Sequence, residues 1–410
     1  MGSAPEPPQA ANHTTSDLDR ICAILRRKAP VWHDETLGHF VLTRHDDVRA
    51  LLADRSHLKD PAKAAPESPV MQAMLNQPES LKYQTAADSI LKMDDPRHSQ
   101  VRTPLAKALY KRVAASRNLI EDVVARILHD LDGRTQFDAM AEFCIPVPID
   151  VIARILGADP SMRDAFRTWS IDVFEAFNPA RTPEQTTRLI AASDNLCDVI
   201  DTLMQRRKNA PQDDLISDLM RAQANGASLT DDEIRENCAG FLAAGNLATT
   251  DLIGNALWLL HTHPSELQKL REAPNLLTNA IEEVLRYEPP AEGTSRIASR
   301  DIEIRGCPIK HSQVVVASLR AANRDPEAFP DPNRFDITRD RAAHVSFGGG
   351  PHICIGAPLA RLEAQIAIAA FLTRFPTAAL ADNDPAWRPP TSASRGLTHI
   401  YMRVERTSDA

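Results

Sequence analysis

At 410 residues, with 55 acidic against 47 basic side chains and a formal net charge of −8, the chain lacks the basic excess that holds a phosphate backbone, which argues against a general nucleic-acid surface. No apolar run reaches the roughly 18–20 residues that a membrane helix needs, and the first residues are polar and proline-rich rather than a charged-then-apolar signal, so a cytoplasmic chain without membrane insertion is expected. The six cysteines, at 22, 144, 197, 238, 307 and 354, contain no Cys-x-x-Cys pair, which fits reduced thiols better than a disulfide framework.

Residues 1–20 are poor in apolar side chains and predict a mobile tail. Gly38 to Thr43 predicts a short strand, and Arg44 to Leu52 a helix opened by acidic residues. From about 54 to 92 the chain is rich in Pro and Ala with weak periodicity. Helical patterns then dominate from Val101 to Met220, broken by Pro146, Pro148, Pro160, Pro179 and Pro183. Thr230-Asp-Asp-Glu233 is a capping box, and no proline follows until Pro264. At 1.5 Å per residue, roughly 33 residues extend about 50 Å, enough to cross the whole molecule. The middle of this helix reads Phe241-Leu-Ala-Ala-Gly-Asn-Leu-Ala-Thr-Thr250, where Gly245 costs about 1 kcal/mol relative to Ala in an undistorted helix. In the next helix Glu283 and Arg286 stand three apart, a spacing at which side chains meet. Asp301 to Arg305 and Gln313 to Leu319 predict strands around a Gly306-Cys-Pro turn, and residues 322–335 form a turn-rich meander.

The segment Phe347-Gly-Gly-Gly-Pro-His-Ile-Cys-Ile-Gly356 then places one cysteine, Cys354, in a glycine-rich loop that runs into a helix opening near Ala357-Pro358. Glycines at 348, 349, 350 and 356 permit turns and close approach, so amide N–H groups can point at the sulfur. The positive end of the following helix acts in the same direction, and proline suits a first turn. These features predict a depressed thiol pKa and a thiolate able to hold a metal.

The spacing of Phe347, Gly348, Gly350, His352, Cys354 and Gly356 resembles the haem-binding signature of the cytochrome P-450 family, in which the cysteine thiolate is the proximal iron ligand. Similar wording extends from about residue 38 to 403. The resemblance implies the family's fold, mainly α with a smaller β region, as a single haem-thiolate oxygenase domain over 21–410. It implies haem b (iron protoporphyrin IX) as cofactor, with Cys354 on the metal and Ala244, Phe347, Gly348 and Gly356 at cofactor-binding positions. His98 and Arg102, in Met93-Asp-Asp-Pro-Arg-His98-Ser-Gln-Val-Arg102, together with Arg296 and His352, match residues that contact the haem propionates, groups that need cationic or hydrogen-bonding partners when enclosed. Glu283 and Arg286 match the family's Glu-x-x-Arg. Arg334, in Pro332-Asn-Arg-Phe335, matches the third member of that network, which scaffolds the fold.

The stretch Phe241 to Thr250 resembles the family's oxygen-activating helix, whose candidate catalytic positions here are Gly245, Asn246, Leu247, Ala248 and Thr249. The usual wording is Ala or Gly, Gly, any residue, an acid, then Thr, and the acid and alcohol relay protons during dioxygen activation. Here those two places read Leu247 and Ala248, a register supported by Ala244-Gly245 upstream and Asp251-Leu-Ile-Gly-Asn-Ala-Leu257 downstream. A slip of one residue puts Ala248 and Thr249 there instead, still without an acid. Neither Leu nor Ala can donate or accept a proton. Delivery then falls to a hydroxyl, carboxyl or amine of the substrate, to hydrogen peroxide, or to Asn246, Thr249 or ordered water; a sequence altered to block the relay is a further reading.

The implied activity is insertion of one oxygen atom from dioxygen into a small, mostly apolar organic substrate. Ferredoxin and ferredoxin reductase are the implied electron donors, because no flavin or iron–sulfur module is visible, and a monomer is expected. A peroxide-driven oxygenase is the second reading, weakened by the absence of the Arg-Pro that marks the fatty-acid peroxygenases. A non-catalytic haem or ligand carrier is the third. The resemblance places Met74, Leu81, Tyr83, Ile90, Phe174, Phe177, Leu242, Leu247, Ala291 to Thr294 and Ser392 to Leu397 around the substrate, with Glu292 as a polar candidate to orient it.

Overall fold

The computed structural model describes residues 15–68, 71, 88–178, 181–340, 343–382, 386–388 and 395–405. Helix α1 (Thr15–Lys28) carries Asp17 in its first turn and Arg26, Arg27 and Lys28 in its last, the charge order that suits a helix dipole. Helix thus begins within the stretch expected to be a tail. Strands β1 (Val31–Asp34) and β2 (His39–Leu42) pair antiparallel, and α2 (His45–Ala53) follows, in agreement with the strand and helix expected over 38–52.

Next come α3 (Arg97–Ala115), α4 (Arg117–His129) and β3 (Gln136–Asp138), then α5 (Pro146–Leu156), α6 (Arg163–Phe174) and α7 (Pro183–Asn209). The prolines expected to interrupt helices open them instead. Pro146 stands in the first turn of α5, Pro160 begins a short 3-10 turn ahead of α6, and Pro183 opens α7. A first-turn N–H has no intrahelical partner to lose, so proline is inexpensive there. Pro179 lies outside the described residues.

After α8 (Leu215–Ala224), the capping box forms as expected: Glu233 donates its N–H to Thr230 Oγ1 at 3.1 Å, and Thr230 donates its N–H to Glu233 Oε2 at 2.8 Å. It starts α9 (Asp231–Thr262), 32 residues and about 48 Å long. Helices α10 (Pro264–Glu272) and α11 (Leu277–Tyr287) lead into β4 (Gly293–Ile297), β5 (Ile302–Ile304), β6 (Cys307–Ile309) and β7 (Val314–Ser318). The Gly306-Cys-Pro turn is corrected here, since Cys307 and Pro308 belong to β6. The turn itself is Arg305 and Gly306, both left-handed at φ 52° and 77°, the geometry whose twist matches a two-residue hairpin.

The chain closes with α12 (Leu319–Asn323), α13 (Ala357–Arg374), β8 (Ala379–Leu380) and β9 (Tyr401–Arg403). The larger sheet runs β1-β2-β7-β4, with β2 parallel to β7 and β4 antiparallel to it. Helix α9 packs against α5, α6, α7 and α13, so most of its positions are buried and it lacks the polar face of a surface helix. Among the described residues, no helix is long and apolar enough to cross a membrane.

Candidate active site

Cys354 lies between two fixed points. Its N–H donates to the Phe347 carbonyl at 2.9 Å, and α13 begins three residues later. Gly348 and Gly350 take the left-handed region at φ 71° and 64°. At Gly350 a Cβ would stand 2.0 Å from the Leu52 carbonyl oxygen, so only glycine lets the loop lie against α2. Gly356 is right-handed, and its closest neighbour in the Cβ direction is the Cys354 sulfur at 3.9 Å. The half-buried Phe347 ring lies under the Arg361 guanidinium, 4.4 Å away, and Arg361 in turn holds Glu282 of α11 at 2.7 and 2.9 Å.

Of the six cysteines Cys354 is the exposed one. Protein nevertheless surrounds its sulfur closely enough that desolvation is the largest influence on the thiol. The expectation of a depressed thiol pKa is corrected: the amides of Gly356 and Ala357 and the charge of Arg102 do favour the thiolate, but burial outweighs them and the free thiol is raised. A cation at the sulfur supplies what these donors alone do not.

Beside the loop stands a group of bases. His98 is 1% exposed, and neither of its ring nitrogens has a hydrogen-bond partner among the described residues. Its ring centroid is 4.1 Å from that of His352. Arg102 donates to the Ile353 carbonyl at 2.5 Å, and the buried Arg296 donates to the Ser295 carbonyl at 2.8 Å. Lys59 joins them, and no sequence signal had singled it out. Burial, then His98, Arg296, Lys59 and Arg102, press His352 down to about 3, and burial brings Arg296 to about 10. The structure thus brings together all four expected propionate partners. Among the described residues, no carboxylate stands within ion-pair distance of Lys59, Arg102, Arg296 or His352, and His98 has only Asp95 at 3.8 Å.

On α9, accessible surface is confined mid-helix to Gly240, Phe241, Ala244, Gly245 and Ala248, while residues on either side are buried. Gly240, Ala244 and Ala248 are spaced by four and share one row. Leu247 and Thr249 are buried at 2% and 4% exposure. Asn246 is fully buried and faces α6, donating to Ser170 Oγ at 3.1 Å and accepting from Arg167 at 3.5 Å. The missing side chain of Gly245 points toward Ile152 of α5, 3.4 Å from its place.

The Glu283–Arg286 pair is bidentate at 2.7 and 2.8 Å, with both side chains almost fully buried. Its third member is corrected to Arg339, whose Nε donates to Glu283 Oε1 at 3.3 Å. Arg334 is 59% exposed and serves through its carbonyl, which accepts from Arg286 at 3.2 Å. Among the expected substrate contacts, Ile90 and Leu242 are buried in the core, while Phe174 and Ala291 to Thr294 keep partial exposure. Met74, Leu81, Tyr83, Ser392 to Ser394 and the side chain of Phe177 lie outside the described residues. Glu292 turns away from solvent, its Oε1 buried and 3.7 Å from Arg320, in a cluster that includes Glu288 and Asp19.

A family model for cytochrome P450 matches residues 40–399. The chain belongs to the cytochrome P450 family. It is 36% identical over 396 residues to 6-deoxyerythronolide B hydroxylase of Saccharopolyspora erythraea, covering 95% of this chain and 96% of that one. P450BioI, solved in complex with hexadec-9Z-enoic acid ligated acyl carrier protein, superposes at TM-score 0.85 with 31% identity, over 95% of this chain and 99% of that one. The myxobacterial cytochrome P450 CYP267B1, solved with myristic acid, gives 0.86 and 33%, over 95% and 97%.

As a cytochrome P450 the protein is a haem-dependent monooxygenase with haem b as cofactor; it takes electrons from a redox partner and binds an organic substrate. The residues present fit that group. An accessible sulfur at a helix N-terminus suits iron, and a nest of bases that among the described residues has only Asp95 within ion-pair distance, 3.8 Å from His98, suits a pair of carboxylates. When bound, haem supplies the iron at which dioxygen is activated, chemistry that no side chain provides.

Proposed function

We propose that Cys354 holds the haem iron, that His98, Arg102, Arg296 and His352 hold the propionates, and that the enzyme inserts one oxygen atom from dioxygen into a small, mostly apolar organic substrate. Ferredoxin and its reductase supply the electrons to a cytoplasmic monomer. Protons arrive through ordered water positioned by a polar group of the substrate. The observation that carries this last step is the accessible row of α9: it presents Gly240, Ala244 and Ala248, none with a group that donates or accepts a proton, while Asn246 is committed to α6. The relative solved with myristic acid supports a mostly apolar substrate that carries one polar end.

The test compares product formed with ferredoxin, reductase and dioxygen against product formed with hydrogen peroxide alone, using a compound that shifts the ferric haem toward high spin. Product with the electron-transfer chain and little with peroxide is expected. Efficient product with peroxide alone contradicts the reading and makes the protein a peroxide-driven oxygenase.

A further inference from the structure

Lys59 is held in place by backbone. Leu58 and Ile297 exchange hydrogen bonds, N to O at 2.9 and 2.8 Å, and the Lys59 N–H donates to Asp94 Oδ1 at 2.6 Å. This lays the side chain along β4, where Nζ donates to Thr294 Oγ1 at 3.1 Å and to the Ser295 carbonyl at 3.2 Å. Among the described residues, two neutral acceptors take two of the three ammonium protons and no carboxylate stands within ion-pair distance of the charge. The nearby acid is Asp94, whose other oxygen is taken by Lys63 at 2.8 Å. Burial first, then Arg296 and Lys92, lowers the half-buried ammonium to about 7. A cation placed against other cations carries a cost that either loss of its proton or a bound anion offsets, and a bound carboxylate is the partner that keeps it charged.

Four bases are assigned to the two propionates in the reading above, and Lys59 is a fifth beside them. Its acceptor Thr294 stands on the wall expected to face substrate, so Lys59 lies where a haem carboxylate and a substrate carboxylate are both within the same neighbourhood. We propose that Lys59 is a carboxylate-binding residue of this pocket, closing on a haem propionate or on the acid group of a fatty-acid-like substrate. The inference rests on the haem-thiolate reading above.

The experiment uses the holoenzyme with Lys59→Met and Lys59→Arg. Two readouts are taken: the rate of haem transfer to apomyoglobin, and spin-state titrations with decanoic acid and with decanol. Loss of one charge-assisted hydrogen bond amounts to at least about tenfold. Haem transfer faster by that factor in Lys59→Met and restored in Lys59→Arg, with both ligands binding as before, assigns the residue to a propionate. Unchanged haem transfer with about tenfold weaker decanoic acid binding, decanol unaffected, assigns it to the substrate carboxylate. Both readouts unchanged overturn the proposal, and if neither compound binds the wild type, the haem-transfer rate decides alone. The carbon monoxide spectrum of the wild type separates the two levels: absence of a thiolate-type spectrum defeats the haem-thiolate reading, whereas its presence with unmoved variants defeats the role of Lys59 alone.

Discussion

Ala248→Thr returns an alcohol to the point where α9 presents accessible surface. Ala248 is half-exposed in the row it shares with Ala244, so the added Oγ and methyl displace solvent and leave the core intact. The expected cost is the helix preference of Thr against Ala, about 0.7 kcal/mol or less. Leu247→Asp is a different case, because Leu247 is 2% exposed. It removes a buried side chain whose truncation costs about 2–5 kcal/mol and places a carboxylate there. That carboxylate has no partner, a further penalty. Against a typical domain stability of about 5–15 kcal/mol, the double substitution is hazardous and the single one is mild. A positioned proton donor contributes roughly 10²–10⁴-fold to a step that lacks one. Even a small part of this factor shows as more product per electron pair and less hydrogen peroxide released. The assay measures product, peroxide and reductant consumed, with urea denaturation of each variant in parallel. An unchanged product-to-peroxide ratio in Ala248→Thr, together with lost coupling in Thr249→Ala, refutes the register and places the alcohol position at the buried Thr249.

Glu283→Gln weakens the network with Arg286 and Arg339 and leaves a buried guanidinium short of its counter-charge; urea denaturation should show a loss of about 3–5 kcal/mol, and a loss below 1 kcal/mol contradicts the scaffold role. For Glu282, burial favours the neutral acid, but hydrogen bonds from His344 and Arg361 prevail and hold the carboxyl at about 2 against an ordinary 4.5. Its folded pKa is depressed, so the contribution is full above pH 4.5 and is lost as pH falls toward 2. The stability gap between the wild type and Arg361→Met should thus be constant at neutral pH and close in that acid window; a gap independent of pH contradicts it. Arg296→Leu removes a buried base from the anion nest and should speed haem transfer to apomyoglobin by at least about tenfold. An unchanged rate excludes Arg296 as a propionate partner.

Local signals were readable where a short motif dictates geometry. The Thr230–Glu233 box, the strand and helix over 38–52 and the glycine loop around Cys354 depend on neighbours in sequence, and the structure builds each of them. Proline punctuates chains, so Cys307 and Pro308 read as a turn in sequence, yet Pro308 sits in the short two-stranded β5–β6 hairpin, where a missing N–H is tolerated. Arg339 displaced Arg334 because the path of the meander over the five positions that separate them decides which guanidinium turns back to Glu283. Lys59 was invisible because its place depends on the pairing of its neighbour Leu58 with Ile297, far along the chain. The sign of the Cys354 shift was missed for a related reason: amides and helix dipole are local, whereas desolvation comes from the whole surrounding fold.

The central claim is that Cys354 binds iron through a thiolate. The most direct measurement is the carbon monoxide difference spectrum of the reduced, haem-reconstituted protein, wild type against Cys354→Ala. A thiolate-type band in the wild type that disappears in the variant is the predicted result. The same band in both contradicts the claim and sends the search to another ligand.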